Sequence, residues 1–272
     1  HLSNTPKQIL LDRALGRPVP IFGHLPMILG SDGKRLSKRH GSTAVREYEN
    51  QGILPDTLVN FLALIGWSPG DDQEVMSVEN LVTHFSMERV IKKSGIFDFK
   101  KLDWLSGQHF NRSTAEVLEP LLTEGLEVSG LATREDLEGR REWYLSLIDL
   151  LKTRARRIQD LVDLARPFLM ERLEFDERAV EKHWFETPSQ VLEWFTDLRS
   201  RLESVPWDPD SLEKVIREYA EEQSVGAGKV IHPLRVAVTG REASPGIFEV
   251  MTFLGKIQVL ERLDIAISRF DL

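Results

Sequence analysis

The sequence predicts a mainly α-helical protein built from more than one part, on three observations. After residue 110, apolar residues recur at helical spacing in segments that begin on Ser, Thr, Asp or Pro and stop near glycine. Over the same stretch no alternating apolar and polar run reads as a strand. The β-favouring signal is confined to the beginning, where residues 18–30, "PVPIFGHLPMILG", read as strand near a sheet edge. A turn and a basic loop follow, an order suited to the end of an open α/β domain.

The first helix starts at Ser3-Asn4-Thr5-Pro6, where capping side chains precede a proline whose missing N–H costs nothing in a first turn. "KQILLDRAL" continues it and Gly16 ends it. Ser31-Asp32-Gly33 is a turn signal. From Thr43 two helices, "STAVREYENQG" and "LPDTLVNFLALIGW", end at Gly52 and Gly66, with Leu58, Phe61, Leu62 and Ile65 on one face. Residues 77–84 and 87–93 read as two shorter helices. The segment "SGIFDFKKLDWLSGQHF" reads as a separator whose Phe97, Phe99, Leu102, Trp104 and Leu105 form a small core. Seven helical stretches follow. The longest, "TREDLEGRREWYLSLIDLLKTRARRIQDLVDLARPFL", is too long for one helix and is predicted to break near Thr153, where its apolar stripe changes phase. The predicted division is 1–42, 43–110 and 111–272, the last with a split near 187.

Composition narrows the chemistry. A chain of 272 residues, 41% hydrophobic and 29% charged, is long enough for one large core or several smaller ones. It has no cysteine, which removes disulfides, thiolate nucleophiles and Cys-type zinc sites and fits a reducing, cytoplasmic compartment. The seven histidines show no H-E-x-x-H spacing, so no metal site is predicted. No apolar run of about 18 residues suggests a membrane span, and no signal-peptide pattern opens the chain. The formal net charge of -8 argues against holding a polyanion by bulk charge. A local basic patch still guides one.

Such a patch is "GKRLSKRHGSTAV", with Lys34, Arg35, Lys38, Arg39 and His40 around Ser37. Cations and a hydroxyl behind a glycine turn suit a triphosphate. The stretch is not a Walker loop, because G-x-x-x-x-G-K-[ST] is absent. On charge alone, solvated surface is the commoner reading of such a run. A second basic cluster, Lys152, Arg154, Arg156 and Arg157, reads equally as a solvated helix end, where cations are favourable without any ligand. Ser244-Pro245-Gly246 reads as a helix start that leaves free N–H groups. Trp143, Trp184, Trp194 and Trp207 lie at helical spacing and read as core.

Taken together, "HLSNTPKQ", "HLPMILGSDGKRLSKRHG", "LPDTLVNFLALIGWSP", "FDFKKLDWLSGQHF" and "HPLRVAVTGREASPGIFEVMTFLGK" closely resemble bacterial glutamyl-tRNA synthetase, a class I aminoacyl-tRNA synthetase. "RLSKR", residues 35–39, matches the family's form of the K-M-S-K-S signature, with arginine for the first lysine. The resemblance covers essentially the whole chain. It implies the end of a class I Rossmann-type catalytic domain, a mixed α/β stem-contact segment and an all-helical anticodon-binding region. The family's H-I-G-H type signature has no counterpart, since His24 in "GHLP" does not match it, so this polypeptide alone is expected not to catalyse.

The family's reaction joins glutamate to tRNA at the expense of ATP, with Mg2+, through glutamyl-adenylate and pyrophosphate. By resemblance, Lys38 is the catalytic cation on the ATP phosphates, supported by Arg35, Leu36, Ser37 and Arg39. Met27 and Ile28 sit where the family's backbone meets adenine, positions that also read as strand core, and His1 lies at the pocket's edge. No tightly bound cofactor is expected. Arg154 matches the arginine that reads the third anticodon base in members restricted to glutamate tRNA, with Arg156 the alternative if the register slips. Arg235, Ser244 and Pro245 match positions that contact the first two anticodon bases. The implied partner is a glutamate-specific tRNA read in the discriminating mode, with no membrane. Glutaminyl-tRNA synthetase resembles the chain less, because its anticodon region is built of β-barrels. A helical protein-interaction module without RNA binding is the alternative for the chain in isolation.

Overall fold

The computed structural model describes residues 1–37, 39, 41 and 44–270. The chain divides into two compact units, His1–His109 and Phe110–Leu272.

In the first unit, α1 (Thr5–Ala14) begins where Asn4 and Pro6 predict it, and buries none of its residues. Residues 18–28 do not form the expected strand. Among the described residues this part of the chain forms β-bridges only at Leu29, singly to Arg35 and to Ile96. The reason is physical: an extended segment becomes a strand only against a neighbour, and Pro18, Pro20 and Pro26 remove three of its donors. Ile21 is fully exposed.

Helices α2 (Val45–Asn50), α3 (Pro55–Gly66) and α4 (Val78–His84) follow as the sequence predicts. The predicted helix at 87–93 shrinks to a single 3-10 turn, Met87–Arg89. Val90 instead bridges Trp67, and the Ile91 N–H donates to the Gly66 carbonyl at 2.8 Å. The β component of the 43–110 segment is thus reduced, among the described residues, to isolated bridges.

Conversely, the predicted separator contains α5 (Phe99–Arg112). Asp98 caps it, accepting from the Lys100 and Lys101 N–H groups at 2.8 and 3.3 Å. Phe97 anchors the core of this unit, edge-on to Phe61 at 4.7 Å and stacked on Tyr48 at 5.8 Å. Leu102 and Leu105 are buried in that core, whereas Trp104 stays 43% exposed. The expected small core is real but leaves Trp104 out, and Phe99, 4.9 Å from Phe97, stays at its rim, 37% exposed.

The second unit is helical throughout: α6 (Ala115–Val128), α7 (Arg134–Glu138), α8 (Arg141–Leu151), α9 (Ile158–Leu169), α10 (Glu177–Trp184), α11 (Pro188–Leu202), α12 (Pro209–Glu222), α13 (Ala227–Thr239), α14 (Ile247–Leu254) and α15 (Lys256–Ser268). The predicted break falls between α8 and α9, and a further one at Gly139 separates α7 from α8. Helix α10 was not predicted, although Asp176 caps it by accepting from the Arg178 N–H at 3.0 Å. Helices α6 and α9 approach closely because Gly125 has no side chain; a Cβ there would lie 2.7 Å from Val162 Cγ2.

A larger core gathers α10 to α15 around Trp184, Phe195, Ile216 and Leu234. Burying each such side chain contributes about 1.5–3 kcal/mol. Trp184 and Trp194 are buried in it, and Trp207 is half-buried, donating to the Met251 carbonyl at 3.0 Å. Arg262 of α15 is buried and donates to the Val238 carbonyl of α13 and the Pro167 carbonyl of α9. Both acceptors lie in last helical turns, where carbonyls lack intrahelical partners and the helix dipole favours a cation. Its guanidinium pKa is nonetheless pushed down by burial to about 10.

Candidate nucleic-acid interface

The α8–α9 break and the α13–α14 turn bring the candidate RNA-reading residues together. Arg154 lies in the break. Its backbone N–H bonds the Leu151 carbonyl at 3.0 Å, and the next helix is started by Asp160, which accepts from the Arg156 and Arg157 N–H groups at 2.8 and 3.1 Å. The break is stabilised because those carboxylate bonds satisfy the amides of Arg156 and of the N-cap residue Arg157, just before α9, in place of a continued helix.

The other wall is fixed by Arg235 in α13. Its Nη1 donates to the Pro245 carbonyl at 2.8 Å and to the Ser244 hydroxyl, which itself donates to the Pro245 carbonyl at 2.8 Å. Thr239 fastens the same turn, donating to the Arg235 carbonyl at 2.8 Å and accepting from the Arg241 N–H at 3.2 Å. Gly240 closes α13 with φ 70, and a Cβ there would lie 2.1 Å from the Glu174 carbonyl oxygen. Only glycine fits. The turn is therefore held from three sides.

Between these walls opens a concavity of about 630 Å³, lined by Arg154, Asp160, Asp163, Asp176, Arg241, Glu242 and Ser244, with Leu164 and Ala243. Its carboxylates are engaged locally. Asp160 and Asp176 start helices, Asp163 meets Arg166 at 3.5 Å, and Glu242 pairs with Lys182 and with His183 Nε2 at 3.2 Å. The Glu242 carboxyl is held below its usual range chiefly by the Lys182 hydrogen bond, then by that from His183. By contrast, the Arg154 and Arg241 guanidinium groups make no hydrogen bond or ion pair among the described residues. The Arg235 guanidinium is pushed below its ordinary value by burial first and by Arg154 second, against Glu249. Two unpaired planar donor forks, a hydroxyl and several carboxylates on one surface offer the hydrogen-bonding chemistry that reads base edges.

Of the predicted anticodon residues, Arg154 and Ser244 line this concavity, and Arg235 and Pro245 join it through Ser244. Arg156 does not line it. Arg241, Asp160, Asp163 and Asp176 were not singled out in the sequence. Their signal was weak, since helix caps and a turn arginine are common.

The basic loop of the first unit is anchored differently. Ile28 and Leu36 pair across a short hairpin, with the Leu36 N–H donating to the Ile28 carbonyl at 3.1 Å, and both pack against the unit's core. Met27 is 57% exposed. Asp32 holds the turn by accepting from the Lys34 N–H at 2.9 Å, and its carboxylate lies 3.9 Å from Arg39. Arg35 bridges Leu29. Lys38, the expected catalytic cation, lies outside the described residues, as does His40. His1 is exposed and hydrogen-bonds Asn4 at 3.1 Å. Among the described residues no cluster of three or more His, Asp or Glu could hold a metal. No helix among the described residues is long and apolar enough to cross a membrane.

Comparison with known proteins gives a family match for each part of the chain. Residues 113–267 match the family described as anticodon binding domain, and residues 1–104 match tRNA synthetases class I (E and Q), catalytic domain. The two matches define a class I tRNA synthetase polypeptide. A glutamate–tRNA ligase of Moorella thermoacetica is 37% identical over 265 residues, 97% of this chain and 54% of that protein. One of Desulforudis audaxviator is 40% identical over 275 residues, 98% of this chain and 54% of that protein. The crystal structure of a glutamate tRNA ligase from Elizabethkingia meningosepticum in complex with its amino acid superposes with a TM-score of 0.73 at 27% identity, over 98% of this chain and 55% of that one. The chain belongs to the bacterial glutamyl-tRNA synthetase family. It spans about half the length of the curated relatives it matches.

Proposed function

We propose that this chain serves a glutamate–tRNA ligase, which joins glutamate to tRNA and releases AMP and pyrophosphate, and that its own part is recognition of the tRNA anticodon. The observation that supports this reading is that Arg154 and Ser244 line one concavity, with Arg235 bonded to Ser244 and the Arg154 guanidinium unpaired among the described residues. Arg154 reads the third anticodon base, which makes the enzyme selective for glutamate tRNA. Arg235, Ser244 and Pro245 face the first two bases. In the whole ligase, ATP with Mg2+ is a substrate, and the 35–39 loop supplies cations to its phosphates, Lys38 foremost. Residues 1–42, 43–110 and 111–272 then serve as the end of the catalytic domain, the stem contact and the anticodon reader, in a cytoplasmic protein.

The test is the affinity of the chain for glutamate tRNA transcripts carrying the native anticodon or a changed third base, at one fixed salt concentration. A preference for the native anticodon is expected. Equal, salt-sensitive binding of both transcripts would overturn the reading, because binding to backbone charge alone is blind to sequence.

A further inference from the structure

A second concavity, of about 510 Å³, opens on the second unit between α10, α11 and the start of α13. Four of its lining side chains carry basic nitrogen: Lys182, His183, Lys229 and His232. Glu186 is the one carboxylate on its lining. The first turn of α13 also faces it, through Gly226 and Gly228, and no side chain caps that helix. Uncapped first-turn amides and the helix dipole favour an anion.

Independent features point the same way. Trp194, only 3% exposed, lines the cavity, and its indole N–H has no acceptor among the described residues. A buried donor left without a partner is costly, and such groups ordinarily signal a missing one. The Lys229 ammonium makes no ion pair or hydrogen bond among the described residues. The His183 and His232 rings stack at 5.4 Å. The imidazole of His232 is held below its ordinary value by burial first, then by His183, Arg235 and Lys182, with only Glu242 opposing. The field there is positive. Donors and cations outnumber acceptors on this surface, where Glu186 is the one carboxylate.

The two concavities are coupled through one residue. Glu242 lines the first and pairs with Lys182 and His183 of the second. Helix α13 carries both Lys229 and Arg235. We propose that the second concavity binds a phosphate oxyanion, supplied by the backbone of the tRNA whose anticodon occupies the first. The source of the phosphate rests on the function proposed above; the affinity for an oxyanion does not.

The experiment follows the Trp194 indole N–H and the His232 ring by NMR in the whole chain, with the indole assigned by Trp194→Phe. Inorganic phosphate is titrated at constant ionic strength, and then glutamate tRNA. Saturable shifts of both signals are expected, lost in Lys229→Gln whose melting temperature matches wild type. Lys229→Gln is also expected to weaken native and third-base-changed transcripts by the same factor, and to reduce the slope of log affinity against log salt by about 0.7–0.9, the value of one phosphate contact. No shift with either titrant overturns the site. Shifts with phosphate but an unchanged salt slope make it a site for free phosphate and overturn the RNA source. Wild-type chain that ignores the anticodon yet shows the Lys229-dependent phosphate shift would sink the anticodon reading while the oxyanion site stands.

Discussion

Arg235 and Pro245 are joined across the α13–α14 turn by a charge-assisted hydrogen bond of 2.8 Å from the guanidinium to the Pro245 carbonyl. The same nitrogen bonds the Ser244 hydroxyl, so a single side chain sets the shape of a wall of the concavity. Arg235→Gln removes a half-buried charged donor and leaves the Pro245 carbonyl without it. Hydrogen bonds to charged groups contribute about 1.5–3 kcal/mol, and a loss of that order is expected in urea denaturation. Binding of all glutamate tRNA transcripts should weaken together, since the whole turn shifts. Retention of full affinity in Arg235→Gln would show that the turn holds its shape without this bond.

Arg154 behaves oppositely. It is exposed and holds nothing, so Arg154→Gln should leave stability within about 0.5 kcal/mol of wild type. Its effect belongs in discrimination: the affinity ratio between native and third-base-changed transcripts should fall by about 1–3 kcal/mol, the worth of one bidentate base contact. Competition binding with the two transcripts measures that ratio directly. An unchanged ratio would move the reading of the third base away from Arg154, with Arg241 on the same lining as the next residue to replace.

These two arginines also show what was legible beforehand. Both were found through family resemblance, while their convergence is a matter of tertiary packing that no local pattern encodes. Local signals served well where caps and apolar spacing agreed, as at Asp208-Pro209, where the aspartate accepts from the Ser211 N–H at 2.9 Å. They failed where tertiary contacts decided. Helix α10 is polar on most faces, yet Val180 and Trp184 bury against the core and hold it. Gly107 weakened the helical signal of α5, but Asp98 caps it and Leu102 and Leu105 pin it. Residues 18–28 had strand composition and no partner. Arg262 is buried on α15, and no local pattern in the sequence marks it so.

Arg262→Met tests that buried cation. The replacement fills much of the volume but leaves the Pro167 and Val238 carbonyls without their donor, at the ends of α9 and α13. Replacing a buried charge by an apolar side chain is sometimes neutral. Here the acceptors remain, and each unsatisfied buried group costs about 1–3 kcal/mol. A net destabilisation in that range is expected from equilibrium denaturation. Stability equal to wild type would mean that desolvation of the guanidinium cancels its two bonds.

The His183, His232 and Glu242 group makes stability depend on pH in two separate windows. The His232 pKa is depressed in the folded protein from 6.5. Above that value neither state is protonated and the group contributes nothing. As pH falls below it, the unfolded chain takes up a proton that the folded one resists, so stability declines until the folded pKa is passed. Glu242 is depressed from 4.5, so its contribution is complete above that value and is lost as pH falls through its folded pKa. Melting temperature against pH should therefore drop in two steps. His232→Gln is expected to flatten the upper step alone. Glu242→Gln is expected to remove its share of the lower step and deepen the upper one, because His232 then faces His183, Lys182 and Arg235 without the one opposing charge. An upper step that survives in His232→Gln would assign it to another group.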